Sequence, residues 1–193
     1  MLTSSALAIT LASGVAWAAF DVARKLAVAR VDARVLLAVM SLGQLPVFAV
    51  WAALGAPLSI AAGYAVPGVA AVILNAAASL LYLESVRISP LSTTIPLLGL
   101  TPAFSTLAGA LLVGELPRAR SALGIVLVVA GAFALNARRE DLGRPWRILT
   151  AIARDRGSAY MAIVALLWSV SPAIDKLALR EASVAVHAGV QVG

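Results

Sequence analysis

The sequence predicts an all-α polytopic membrane protein: a five-helix repeat followed by the start of an inverted second repeat. Three observations carry this. Apolar residues make up 62% of the 193 residues and charged residues 12%. Soluble domains average about 45–50% and about 25%, so this chain has too little polar surface to coat a globule. Uncharged runs of the length needed to cross a bilayer recur along the chain. Finally, one phrase occurs twice. Trp17 and Lys25 stand eight residues apart, with Leu26-Ala27 behind them; Trp168 and Lys176 repeat that spacing 151 residues later, with Leu177-Ala178 behind.

The first span is expected over 2–20, a run without a charged side chain. Its start lacks the basic residues of a secretory leader, so a retained helix is expected. Between Arg34 and Glu84 lie 49 uncharged residues. One helix of that length would reach about 74 Å, more than twice the hydrocarbon core. The run must fold back, and Gly55, Pro57 and Gly63 mark where, giving spans over 35–54 and 64–83. The fourth run, 88–114, holds Pro90, Pro96 and Pro102. Each proline inside a helix frees a carbonyl four residues back, which in lipid needs a partner. Thr93, Thr94, Ser105 and Thr106 are near enough to supply hydroxyls. This span is therefore the most irregular, as a cavity wall or simply as a bent packing helix. Pro117 suits the first turn of a fifth span over 121–137, where Gly124 and Gly131 permit close helix contact. A basic connector, 138–157, mixes Trp146 with arginines and apolar residues, as a segment lying on the membrane surface would. The sixth span, over 158–179, carries Trp168, Pro172, Asp175 and Lys176. The last twelve residues are too few for a seventh.

The organisation expected is thus a first repeat over 1–137, the connector, and an incomplete second repeat over 158–193. With five spans per repeat, the second copy enters the membrane from the opposite side. Inverted repeats of this kind are the common skeleton of alternating-access carriers.

Charge and composition narrow the function. The net charge is +6, yet fourteen of fifteen Lys and Arg fall in 24–34, 118–120, 138–156 and 176–180, at the ends of apolar runs. That pattern suits membrane connections and argues against nucleic acid as a partner. Cysteine is absent, which excludes disulfides, thiolate metal sites and cysteine nucleophiles. The sequence shows no Gly-rich phosphate loop, no metal-ligand spacing and no nucleophile–base arrangement, so neither an enzyme, a metal nor any other cofactor is expected.

The chain resembles the EamA family of the drug/metabolite transporter superfamily. The likeness is carried by YLESVRISPLS at 82–92, PLLGLTPAFST at 96–106, LLVGE at 111–115, GIVLVVAG at 124–131, and the two Trp–Lys phrases. It implies a ten-helix carrier fold in the plasma membrane, the inner membrane of a bacterium. It also implies gradient-driven secondary transport, commonly export, of small organic metabolites or drugs. The unfinished seventh span leads to the expectation that the isolated chain transports poorly. A homodimer or a partner chain would then complete the second repeat. The alternative function is a partial carrier that modulates another transporter chain.

Several residues are candidates for a substrate cavity. Lys25 and Lys176 end apolar helices; each either faces a cavity as an anion partner or snorkels to the headgroups. Asn75 is an amide in the middle of a span, where it must find a partner in substrate or in a neighbouring helix. Tyr82, Trp17 and Trp168 are cavity-edge or stacking groups, or else interface anchors. Thr93, Thr94 and Ser105 either line the cavity or repair proline bends. Pro96, Pro102, Pro117 and Pro172 are structural or gating positions. Glu115 matches the acid of the family's fourth span, and its simplest role is to meet the exposed amides that open the fifth. Asp175, in the place of Arg24, is first read as a loop charge, and otherwise as a local pairing partner or a participant in proton coupling; Asp21 is read the same way. His187, the single histidine, gains no role. Membrane orientation is contested: eleven Lys and Arg follow spans one, three and five, and four follow the others. This places the first set in the cytoplasm, whereas the resemblance implies the reverse.

Overall fold

The computed structural model describes residues 4–112, 119–136, 150 and 154–192. Its architecture is all-α: α1 (Ser4–Val28), α2 (Ala33–Ala53), a 3-10 turn (Ala62–Tyr64), α3 (Ala65–Ile88), α4 (Leu91–Thr94), a 3-10 segment (Ile95–Leu100), α5 (Thr101–Leu112), α6 (Ala119–Asn136), α7 (Arg156–Glu181) and α8 (Val184–Val192). Among the described residues, five helical stretches are long and apolar enough to cross a membrane: Ser5–Val28, Ala33–Ala53, Ala62–Ile88, Leu91–Ala108 and Arg156–Glu181. The chain is a multi-pass integral membrane protein. The fifth predicted span corresponds to α6, whose apolar stretch, Ser121–Gly131, is shorter.

Local sequence explains several boundaries. Asp32 caps α2 by accepting a hydrogen bond from the Arg34 amide at 2.8 Å. Gly55 ends α2 with φ +90°, the left-handed conformation in which a side chain would be strained. This is where the 49-residue run turns back. Pro96 opens the 3-10 segment and Pro102 lies in the first turn of α5. The expected irregularity of the fourth span therefore takes the form of a helix broken at both prolines. Pro172 lies within α7 and Pro46 within α2.

Directions follow from paired contacts. Asp21 meets Tyr82, and Lys25 meets Val86. Both partners advance together, so α1 and α3 run parallel. Ser85 meets Gly157 at one end of α3, and the Ala61 amide meets the Glu181 carbonyl beyond the other. Residue numbers fall on α7 as they rise on α3, so those helices are antiparallel. Hence α1 and α7 point in opposite directions. A short antiparallel bridge, Ile60 with Ala182, ties the two chain segments at the far end.

The antiparallel α3–α7 pair is the core. Ala71, Ala78, Ala165 and Ala178 are fully buried, and such small residues let the two backbones approach. Tyr82, Leu83, Val86, Met161 and Val164 form its main cluster, with Val28 and Ala33 from the α1–α2 corner. Large apolar side chains stand outward along α1 and α2, from Ile9 and Val15 to Val39 and Val47. Water would penalise that surface, whereas lipid accepts it.

Asp155 caps α7, accepting from the Ser158 amide at 2.8 Å and from the Ser89 hydroxyl at 3.0 Å. Hydrogen bonding from Ser158, aided by Ser89, holds its carboxyl below the ordinary carboxylate value of 3.8, against an opposing cost of burial. The carboxylate favours the folded state, so its contribution is complete above 3.8 and is lost as pH falls through the lower folded-state value. Detergent-solubilised protein should therefore lose thermal stability in that acid range, and Asp155→Asn should flatten this part of the profile.

Candidate functional site

Two polar clusters lie within the apolar bundle, one in each half. The first is formed where α1, α2, α3 and α7 meet. Tyr82 donates to Asp21 Oδ1 at 2.6 Å, and Arg24 Nη1 lies 3.5 Å from the same oxygen. The Arg24 guanidinium sits over the Phe20 ring at 4.0 Å and beside the rings of Tyr82 and Trp17. Such cation–π contacts offset part of the cost of removing the charge from water. Its Nε is buried without a hydrogen-bond acceptor. Trp168 of α7 completes the aromatic wall, 5.7 Å from Tyr82 between ring centroids. Arg24, Tyr82 and Trp168, with Ser79, Leu37, Met40 and Leu83, line a cavity of about 30 Å³. That is room for about one water and far less than the 300 Å³ or more of a small-molecule site, so this is a closed arrangement. Tyr82 lies six residues from the end of α3, about 9 Å along its axis.

The second cluster joins the 3-10 turn, α3, α7 and α8. Tyr64 Oη and His187 Nδ1 are 2.9 Å apart, and His187 Nε2 lies 3.1 Å from Asp175 Oδ1. Gln191 Nε2 reaches both Asp175 Oδ1, at 2.7 Å, and His187 Nε2, at 2.8 Å. Ser171 donates to Asp175 Oδ2 at 3.2 Å and accepts from Asn75 Nδ2 at 3.1 Å. Asn75 also donates to the Ala71 carbonyl at 3.1 Å. His187 is buried. The cluster runs from the Tyr64 end of α3 inward to Asn75, ten residues and about 15 Å into the helix.

The structure brings some of the predicted residues together and scatters others. Tyr82 and Trp168 share the first cavity, whereas Asn75 and Asp175 belong to the second cluster. Trp17 is exposed on α1, beside Phe20. Lys25 turns to the C-terminus of α3, where its ammonium donates to the carbonyls of Val86 and, at 3.0 Å, of Ser89. Replacing it with Met should destabilise the bundle by about 1–2 kcal/mol, the scale of a cation serving a helix C-terminus; chemical unfolding in micelles would measure it. Lys176 is exposed on α7. Thr93 and Thr94 both donate to the Pro90 carbonyl, at 2.9 and 3.1 Å. Ser105 is half-buried on α5. Glu115 and Pro117 lie outside the described residues, as does most of the basic connector.

Five participants, Arg24, Tyr64, Ser171, His187 and Gln191, were not among the predicted site residues. Arg24 drew no attention beside Lys25, although an acid and a base three residues apart inside an apolar helix signal a pair. Gln191 and His187 fell in a stretch too short to read as a span. The described residues contain no group of three His, Cys, Asp or Glu placed to hold a metal.

A multi-pass α-helical bundle with charged and aromatic groups turned inward is the class that fold and clusters define. Residues 4–137 match the EamA-like transporter family. The chain belongs to that family, whose members are transporters rather than enzymes. Neither a curated protein nor a solved structure matches it.

Proposed function

We propose that the protein is a gradient-driven secondary transporter of small organic metabolites or drugs, acting by alternating access and working as an exporter in the inner membrane of a bacterium. The observation that carries this reading is the opposed direction of α1 and α7, each with the same Trp–Lys phrase, in a chain of a transporter family. It supports a ten-helix scheme in which residues 1–137 form one repeat and α7 opens its inverted counterpart. The remaining helices then come from outside these 193 residues, whether in a continuation, a second copy or a partner chain.

The first cluster suits a substrate contact. Arg24 offers an unused N–H, Tyr82 a ring and hydroxyl, and Trp168 a stacking face. Together they fit an organic molecule with an apolar body and an acceptor group. Entry requires α1 and α2 to part from α3 and α7, since the present cavity is too small. A substrate panel in proteoliposomes tests the reading. Arg24→Met should cut transport of the preferred substrate by about tenfold or more, the factor for losing one charged contact. Unchanged transport in that variant would remove Arg24 from the pathway, and a reconstituted protein that moves nothing on the panel would count against the carrier itself.

A further inference from the structure

The second cluster contains a hydrogen-bonding arrangement with one vacancy for a proton. Its orientation can be worked out from two fixed points. The Ala71 carbonyl only accepts, so the Asn75 atom 3.1 Å from it is the amide nitrogen. That nitrogen's two protons serve Ala71 and, at 3.1 Å, the Ser171 hydroxyl. Gln191 is oriented instead by Asp175, whose carboxylate oxygen only accepts and so faces the Gln191 NH2, leaving Gln191 Oε1 towards Asn75 at 3.4 Å. The NH2 has two protons and two acceptors in reach: Asp175 Oδ1 at 2.7 Å and His187 Nε2 at 2.8 Å. His187 Nε2 therefore accepts, and the imidazole proton resides on Nδ1, directed at the Tyr64 oxygen 2.9 Å away. In that state, Nε2 and Oδ1 face each other across 3.1 Å as two acceptors.

We propose that His187 and Asp175 form a proton-binding site, in which one proton is held between Nε2 and Oδ1 and the Gln191 amide takes that role when the proton is absent. In the binding step, water outside the bundle gives up a proton. An N–H bond forms at Nε2 and donates to Oδ1. Gln191 then loses His187 as an acceptor and must turn. The charge of the cluster goes from that of a lone carboxylate to that of a compensated pair, the direction a low-dielectric interior favours. Among the described residues, the groups facing the pair are few. α3 brings Tyr64. α7 brings Asp175 itself, with Lys176, Arg180 and Glu181 following towards its end. α2, packed on the other side of α8, carries Arg34 near its opposite end and no other titratable group.

The site links proton occupancy to the seating of α8, because Gln191 and His187 both belong to α8 while Asp175 and Asn75 belong to α7 and α3. That the proton drives transport rests on the carrier reading above; that it binds does not. The test exploits the single histidine, which gives one imidazole signal without assignment work. Nitrogen-15 NMR of the whole protein in nanodiscs should show the proton on Nδ1 at high pH. On acidification, one step should protonate Nε2 and shift the Asp175 carboxyl carbon together with it. In Asp175→Asn the Nε2 signal should change, because that nitrogen then faces an amide in place of a carboxylate. A proton on Nε2 at high pH, or an Nε2 signal unchanged in Asp175→Asn, would overturn the proposal. The wild-type tautomer needs no variant, so a poorly folding substitution leaves the test intact. A site that titrates as described in a protein that transports nothing would leave the proton site standing and reject the carrier.

Discussion

Asp21→Ala should be the most damaging single substitution in the bundle, costing about 3 kcal/mol, the scale for stranding one partner of a buried ion pair. Asp21 and Arg24 are only 21% and 17% exposed at their side chains. Without the carboxylate, the guanidinium keeps its ring contacts but loses its counter-charge, and the Tyr82 hydroxyl loses its acceptor. Both losses fall in the same apolar wall. The double variant Asp21→Ala, Arg24→Met should recover most of the loss, since removing both charges also removes their desolvation cost. Unfolding of purified protein in mixed micelles measures each member of the cycle. A single variant within about 0.5 kcal/mol of wild type, the range of unremarkable surface changes, would show that the pair is immersed in water.

Gly157→Ala should cost about 2 kcal/mol, the range for overpacking a fitted interior. An added Cβ would stand 2.5 Å from the Ser89 Cβ and 3.1 Å from the Ser85 carbonyl oxygen. Neither can yield. Ser89 is held by Asp155, and Ser85 donates to the Gly157 carbonyl at 2.7 Å. The first turn of α7 would have to back away from α3, disturbing the tightest junction of the core. Gly63→Ala is the control. There the nearest atoms are the carboxyl end of Glu181, which can swing aside. That variant should fall within about 0.5 kcal/mol of wild type. Equal losses in the two variants would mean that the α3–α7 junction is no tighter at Gly157 than at the loop.

The spans were legible because lipid imposes a coarse demand: about twenty apolar residues per crossing. The prolines of the fourth span and the turn at Gly55 were legible for the same reason, since a missing donor or a left-handed backbone depends on one residue alone. The pairing of side chains across helices was not. Lys25 could be read as a cavity charge because nothing in the sequence shows that the C-terminus of α3 lies beside it. Asn75 demanded a partner, yet its partners sit 96 and 116 residues away, on α7 and α8. His187 had no periodic context to place it. Its role emerges only when α8 folds back against α3 and α7, bringing Tyr64 and Asp175 to either side of one ring. Tyr82 and Trp168 were each legible as cavity-edge or stacking groups, but not as a pair, and their companion Arg24 was hidden behind the more conspicuous Lys25.

An inverted-repeat carrier requires α1 and α7 to cross the membrane in opposite directions. Because the chain has no cysteine, single cysteines can be introduced at Arg30, Arg154 and Leu58 and labelled in intact cells with a reagent that does not cross the membrane. Arg30 ends α1 and Arg154 precedes α7, so both should react from one side, and Leu58 from the other. Arg30 and Arg154 labelled from different sides would contradict the opposed helices, and with them the inverted arrangement on which the transport reading stands.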